Sequence, residues 1–380
     1  MSLFLAVFFL LYGGMHYFAF RKIRMAISLS PAAVFWLIAF MVVMVFAPII
    51  VRLLEREGFG FAAVPVAYTG YLWMGFLFLF CTIMLAGDLG HLLLRCGSLL
   101  LNRDFATGLT DRQAFFIVCA ISLGITVYGY GEALSIRVER VVVPTTKLPS
   151  TVASLRIVQV SDVHLGLIVR EQRLGRILNL VEKAKPDLLV STGDLVDGQI
   201  DGMSELSAAL GKVRPPLGKF AVTGNHEYYA GIEKSLDFMR HAGFTVLHGE
   251  THTIGGMLTV AGVDDPAAAR IGIGKIREDD VLRHAPRDRF VIFLKHRPVV
   301  ARDTVGLFDL QLSGHIHKGQ IFPFGQVTRL FYPAKTGLSR LADSCWLYVS
   351  RGTGTWGPPI RFLAPPEVTV IDLVNRSARG

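Results

Sequence analysis

The sequence predicts a multi-pass α-helical membrane domain followed by an α/β domain, the latter a two-sheet β-sandwich flanked by helices. Three observations carry this. Long apolar runs fill residues 1–135, and a span needs about 20 such residues to cross roughly 30 Å of hydrocarbon. Beyond residue 152, apolar runs of strand length alternate with segments of helical spacing, the pattern of βαβ units. Acidic, amide and imidazole side chains then recur at the ends of those runs, where open α/β sheets place their sites. The expected division is a four-helix transmembrane domain over 1–135, a linker over 136–152 and the α/β domain over 153–375.

Composition sharpens the division. The chain has 380 residues, 52% apolar and 18% charged, where about 25% charged is usual for a soluble protein. The deficit falls in the first third. A net charge of +9 suits an anionic partner, but there is no run of five Lys or Arg and no recurring aromatic–basic pattern, so nucleic acid is not expected. Of four cysteines only Cys345 lies in the second domain, which excludes a disulfide within it.

Four segments qualify as spans: Leu3–Phe20, Ala32–Val51, Val64–Ala86 and Ala114–Tyr130. The first lacks a basic leader and a small-residue cleavage site, unlike a signal peptide. Arg21, Lys22 and Arg24 in the first loop, and Arg95, Arg103 and Arg112 around the third, outnumber Arg52 and Arg56 in the second. By the excess of Lys and Arg in cytoplasmic loops, the chain is expected in a cell (inner) membrane with its second domain on the outer side. Asp88 and His91 share a helical face at the end of the third apolar run and read as an interfacial pair.

In the second domain, Leu155–Val160, Asp187–Ser191 and Phe220–Thr223 read as buried strands. Arg173–Ala184, Leu206–Val213 and a segment near Glu233–Ala242 read as the helices that alternate with them. Phe244–His248, Thr251–Ile254 and Met257–Val263 read as a meander turning at Gly255-Gly256. Phe290–Leu294 and Asp309–Leu312 are further strands, with Trp346–Ser350 and Val368–Leu373 closing the second sheet. Phe322–Leu341, rich in Gly, Pro and aromatic residues, reads as a loop over the site or against lipid.

Five islands carry the chemistry: Asp162-Val163-His164, Gly193-Asp194, Gly224-Asn225-His226-Glu227, Lys295-His296 and Gly314-His315-Ile316-His317. Carboxylate oxygen and imidazole nitrogen are the ligands of borderline divalent metals, and one carboxylate can bridge two cations about 3.5–4 Å apart, the spacing for in-line displacement at phosphorus. Gly193, Gly224 and Gly314 beside the ligands relieve crowding where the backbone must turn sharply near metal.

These islands resemble the calcineurin-like metallophosphoesterase superfamily, whose pattern is D-x-H, G-D-x-x-D, G-N-H-E/D, H and G-H-x-H; the match runs over about 150–375. The ending, Ser350-Arg351-Gly352-Thr353-Gly354 with Pro365-Pro366-Glu367-Val368, is similar to the bacterial membrane-associated YkuE/YaeI-like branch. The resemblance implies two divalent metal ions (Mn, Fe, Zn or Co), with Asp162, His164 and His317 on the first and Asn225, His296 and His315 on the second. Asp194 would bridge them, with hydroxide held between the metals as nucleophile. It implies that His226 contacts phosphate and protonates the leaving oxygen. Asp197 then either orients a ligand or caps a turn, and Glu227 either pairs with His226 or caps a helix. Trp356, Arg297 and Arg340 are the expected substrate contacts, with Tyr228, Tyr229, Lys318 and Arg361 from neighbouring segments. His248 and His252 read as surface or satisfied residues.

The expected activity is hydrolysis of a phosphodiester or pyrophosphate by a membrane-anchored enzyme, with lipid-linked or envelope phosphate esters as substrates. Two alternatives stand beside it: a phosphoesterase of soluble substrates such as nucleotides, and a non-catalytic scaffold or transport protein with a regulatory metal site.

Overall fold

The computed structural model describes residues 2–103, 108–198, 202–274 and 276–376, with the backbone alone at 2–4. The chain separates into two compact units between Gly131 and Glu132, with Gly357–Ile360 grouping with the first.

The first unit is helical: α1 (Ser2–Ala26), α2 (Pro31–Arg56), α3 (Gly60–Leu101) and α4 (Asp111–Leu134). Three of them, α2, α3 and α4, are long and apolar enough to cross a membrane; α1 is not among them over its described residues, and Leu3, where the first predicted span begins, lies outside the described side chains. Pro31 opens α2 behind Ser30, whose hydroxyl accepts the Ala33 N–H, a start that satisfies an otherwise orphaned donor. The helix α3 runs 42 residues, far past the predicted end at Ala86, and stops where Asn102 turns left-handed (φ 48°). At a rise of 1.5 Å per residue it is about 60 Å long, twice a bilayer core. Tyr12, Met41, Leu77, Phe80, Met84 and Phe115 form the bundle core. Asp88 pairs with Lys22 of α1 at 2.6 Å, so its anchor is a salt bridge between helices. His16, buried in the bundle, sits between the Tyr12 carbonyl (2.8 Å) and the Trp73 indole N–H (2.9 Å), a polar junction that the sequence reading missed.

The second unit holds two six-stranded mixed sheets. Its strands are β1 (Arg137–Thr145), β2 (Ser154–Val160), β3 (Leu188–Ser191), β4 (Lys219–Ala221), β5 (Thr245–Val246), β6 (Glu250–Ile254), β7 (Leu258–Gly262), β8 (Phe290–Leu294), β9 (Leu310–Ser313), β10 (Gly337–Ala342), β11 (Cys345–Val349) and β12 (Glu367–Asn375). Its helices are α5 (Glu171–Ala184), α6 (Ser204–Gly211), α7 (Asn225–Ala230), α8 (Ile232–His241), α9 (Glu278–Arg283) and α10 (Phe324–Phe331). The sheet orders are β1-β12-β2-β3-β4-β5 and β10-β11-β9-β8-β7-β6.

Within each sheet a run of parallel strands, β2-β3-β4-β5 and β7-β8-β9-β11, brings their carboxyl ends to one edge. Ile157, Leu188, Val190, Phe220 and Val222 of the first sheet pack against Val260, Ile292, Leu294, Leu310, Leu312 and Tyr348 of the second. The alternate residues Val158, Val160, Leu189 and Ala221 face Leu174, Ile177 and Val181 of α5 and the helices beside it. Burial on both faces explains why these strands read as unbroken apolar runs, each large side chain contributing about 1.5–3 kcal/mol.

Four expectations are corrected. Arg137–Thr145, assigned to the 136–152 linker, is a nine-residue strand parallel to β12. The last strand lies in the first sheet between β1 and β2, not in the second. Only β6 and β7 form the hairpin at Gly255-Gly256, both glycines at positive φ as a tight turn requires, because β5 joins the first sheet beside β4. Phe322–Leu341 is not a loop throughout, since it contains α10 and most of β10.

Candidate metal centre

The Asp162-Val163-His164 turn follows β2, Gly193-Asp194 follows β3, Asn225 opens α7 after β4, His296 follows β8, and His315 and His317 follow β9. The turns hold one another by backbone: Asp162 N–H donates to Gly193 O and His164 N–H to Asp194 O, each at 3.0 Å. Asp162, His164, Asp194, His315 and His317 all adopt left-handed φ between 47° and 72°, a strained conformation for non-glycine residues that clusters at functional sites. A Cβ on Gly224 would stand 2.1 Å from Asp194 Oδ1, and one on Gly314 2.2 Å from Asp162 Oδ2. These two glycines are therefore required by close approach.

Three groups could hold a metal ion: Asp162, His164 and His317; Asp194, His296 and His315; and His164, Asp194 and His226. Donor spacings fit. His164 Nε2 and His317 Nε2 are 3.1 Å apart, as are His296 Nε2 and His315 Nδ1. His296 Nε2 lies 3.1 Å from Asp194 Oδ2, and His317 Nε2 lies 3.4 Å from Asp162 Oδ1. Two donors each about 2.1 Å from one cation, at 90–110°, stand about 3.0–3.4 Å apart. The Asn225 carbonyl oxygen is buried with no hydrogen-bond partner, as expected of a group reserved for a cation. His296 Nδ1–H donates to Thr192 O (2.8 Å), which turns Nε2 toward Asp194. Burial disfavours the charge on this ring, but Asp194 and Asp162 outweigh it and raise it to about 10, so a cation bound there would take the place of the Nε2 proton.

Burial pushes His164 and His315 down to about 3 and also lowers His317, so these three rings, unlike His296, are neutral and able to ligate. Burial opposes the charges on Asp162 and Asp194, yet the surrounding imidazoles overcome it and hold both carboxyls below their ordinary range. His226 behaves differently. Burial disfavours its charge, but Asp194 and Asp197 outweigh that and raise it to about 9.

His226 Nδ1 lies 2.9 Å from Asp197 Oδ1, and the same carboxylate also comes within 3.9 Å of His164 Nδ1. Glu227 does not pair with His226. Its buried carboxylate accepts the N–H groups of Gly224 (2.7 Å), Asp194 (3.0 Å), Leu195 (2.7 Å) and Val196 (3.2 Å), tying the start of α7 to the Asp194 turn. Burial and the Asp194 charge push this carboxyl up to about 7, against four donors that favour its anion.

Of the expected substrate contacts, Trp356 stands beside the centre. It is 47% exposed, with its ring centroid 6.0 Å from that of His226 and Tyr229 on another side at 5.4 Å. Arg297 is paired with the buried Asp265 at 2.7 and 2.9 Å and donates to the Tyr332 hydroxyl at 3.4 Å. Arg340 pairs with Asp343 at 2.6 Å and stacks on Trp346. Arg361 is fully buried, donating to the carbonyls of Gly354, Arg351 and Ala364 and to His317 Nδ1 (3.0 Å). It braces the Gly352–Gly354 turn against the ligand loop. Tyr332, which the sequence reading missed, places its hydroxyl 3.0 Å from His315 Nε2. Arg270, also missed, donates to the Tyr229 hydroxyl at 3.2 Å. Tyr228 bonds Thr223 (3.2 Å), Lys318 is exposed, and His248 is satisfied by Asp264 at 3.0 Å.

A two-sheet sandwich with His and Asp clusters at the carboxyl ends of both sheets forms a candidate divalent-metal centre. A family model described as calcineurin-like phosphoesterase matches residues 155–319. An uncharacterized metallophosphoesterase of Aquifex aeolicus (strain VF5) is 42% identical over 259 residues, covering 68% of this chain and 98% of its own length. The uncharacterized metallophosphoesterase YkuE of Bacillus subtilis (strain 168) is 33% identical over 263 residues, 65% of this chain and 89% of its own. A transmembrane protein with metallophosphoesterase domain of Danio rerio is 33% identical over 267 residues, 67% of this chain and 61% of its own, so the chain spans less than two thirds of that relative. The chain belongs to the calcineurin-like phosphoesterase family.

Proposed function

We propose that this protein is a membrane-anchored phosphoesterase with a dinuclear metal centre that hydrolyses phosphodiester or pyrophosphate bonds of lipid or envelope substrates. The observation that carries the dinuclear reading is Asp194, whose carboxylate joins the group containing His164 and the group containing His296 and His315. Asp162, His164 and His317 with Asp194 would hold one cation, and Asn225, His296 and His315 with Asp194 the other; Mn, Fe, Zn and Co all accept this donor set. When bound, such cations supply Lewis acidity and lower the pKa of water near neutrality.

The remaining work belongs to the chain. Asp197 fixes the His226 ring through Nδ1 and, with Asp194, keeps it protonated, which suits Nε2 to donate a proton to a leaving oxygen. Trp356 and Tyr229 flank that ring and would exclude water from it. Lys and Arg in the first and third loops orient the four helices, α1 counted as a span, so that the catalytic unit lies outside a cell membrane.

The test uses the full chain in nanodiscs, stripped of metal and reloaded with manganese. Release of p-nitrophenol from bis-p-nitrophenyl phosphate should require metal, and Asp194→Ala should lower it at least about 10³-fold while reducing bound metal per chain. No turnover with manganese bound would sink the enzyme reading. Equal rates on free nucleotides and on phospholipid vesicles would sink the lipid reading.

A further inference from the structure

The helix α10 buries none of its residues, although it is rich in large apolar side chains. Leu330 is 81% exposed and Phe331 74%, and Phe324 and Val327 are exposed beside them. At 100° per residue, Phe324, Phe331, Val327 and Leu330 fall within one arc of about 120°, while Gly325, Gln326, Thr328 and Arg329 occupy the other side. Val327, Leu330 and Phe331 carry the exposed part of that arc, while Phe324 keeps a contact of its own.

Both ends of α10 lead to the metal centre. It begins soon after His317, and Tyr332, the residue following it, reaches His315 Nε2. The intervening Gln320 is bonded to the Trp356 backbone on both sides, at 2.8 and 2.9 Å, and Trp356 stands against His226.

We infer that the apolar face of α10 inserts into the surface of the bilayer that anchors the chain, beside the phosphate ester presented to the metal centre. This extends the membrane-anchored reading above and rests on it. Two further observations select a lipid surface. Only Ser135 and Ile136 separate the end of α4, Leu134, from the start of β1, Arg137, a tether of about 10 Å when extended. Between Lys318 and Lys335 the chain carries Lys318, Arg329 and Lys335, all exposed, and no acidic residue, the charge that complements anionic headgroups. An amphipathic segment with basic flanks lies in the interface with its apolar face about 5–10 Å deep.

The experiment places an environment-sensitive fluorophore at Leu330→Cys in the full chain, in a Cys96→Ser background so that no exposed native cysteine remains among the described residues. The control site is Asp343→Cys, whose parent side chain is 99% exposed. With one chain per nanodisc of anionic phospholipid, the Leu330 label should emit at shorter wavelength and be quenched by iodide at least about threefold less than the Asp343 label. Equal quenching at both sites overturns the proposal. So does protection that appears only when several copies share a disc, which would assign the face to self-association. In parallel, Leu330→Gln/Phe331→Gln should lower the ratio of turnover on vesicle lipid to turnover on bis-p-nitrophenyl phosphate about tenfold or more. Insertion without lipid hydrolysis would uphold this inference and reject the lipid substrate; lipid hydrolysis without insertion would do the reverse.

Discussion

Glu227 offers the sharpest test of how the centre is built. Its two oxygens divide four backbone donors: Oε1 takes Leu195 and Val196, and Oε2 takes Gly224 and Asp194. Glu227→Gln keeps one oxygen and turns an NH₂ group toward the other two N–H donors. Two charge-assisted bonds disappear and donors face donors in a site sealed from solvent. At about 1.5–3 kcal/mol per charged hydrogen bond, shared between coupled neighbours, the loss is about 3–5 kcal/mol. For a unit of this size about 1 kcal/mol shifts the midpoint by roughly 2–4 °C, so the catalytic unit should melt about 6–20 °C lower. Calorimetry of the full chain in detergent, with metal removed, reads this without recourse to activity. Glu227→Ala should cost more, because all four donors lose their acceptor. If the Gln variant melted within about 2 °C of the parent, the four bonds could not be what holds the Asp194 turn, and the account of this residue would fail.

Two other perturbations isolate single pairs. Asp197→Asn keeps an acceptor for His226 Nδ1 but removes a charge that raises this ring to about 9. The alkaline limb of the kcat/KM profile should move to lower pH, and turnover of an alkyl phosphodiester should fall about 10–10²-fold, with a smaller loss for a p-nitrophenyl ester that needs little protonation; an unmoved limb would reject His226 as the acid. His248 is raised above its ordinary value chiefly by its hydrogen bond to Asp264. A raised folded pKa contributes stability that is fully present below about 6.5 and lost as pH climbs through the folded value. His248→Gln should therefore cost up to about 1 kcal/mol in urea unfolding at pH 6 and little at pH 9, given a partly exposed pair. Equal costs at both values would refute the assignment.

The parts of this fold that were legible in the sequence share a physical cause. The strands β2, β3, β8 and β9 are buried on both faces, so each is a short apolar run, and a polar ligand directly after such a run is conspicuous. What stayed hidden depends on partners distant in the chain. The strand β1 exposes one side and carries Arg137, Glu139 and Arg140, so it resembles a linker until β12, some 230 residues later, pairs with it. The helix α10 breaks the rule that apolar faces are covered, which leaves local pattern alone unable to place it. Arg297 and Arg361 were expected at the substrate because they stand near the site in sequence and a guanidinium suits an anionic group. Only the assembled fold shows Asp265 waiting for one and a ring of carbonyls for the other.

The ligand turns also explain why so large a sandwich carries so small a centre. Asp162, His164, Asp194, His315 and His317 each hold a left-handed backbone at a cost of about 1 kcal/mol or more, together about 5 kcal/mol or more, comparable to the net stability of a domain. Glycine at any of these positions would relieve the strain and delete the donor. The strain persists because bonds around the turns over-determine them: His315 N–H is held by both Asp162 oxygens (2.9 and 3.1 Å), His226 N–H by Asp194 Oδ1 (2.9 Å), and the Asp194 turn by Glu227. Each of these acceptors is itself a candidate ligand or the residue that fixes one. Ligand side chains thus stabilise the backbone that presents the other ligands, so each donor helps to hold the next in place.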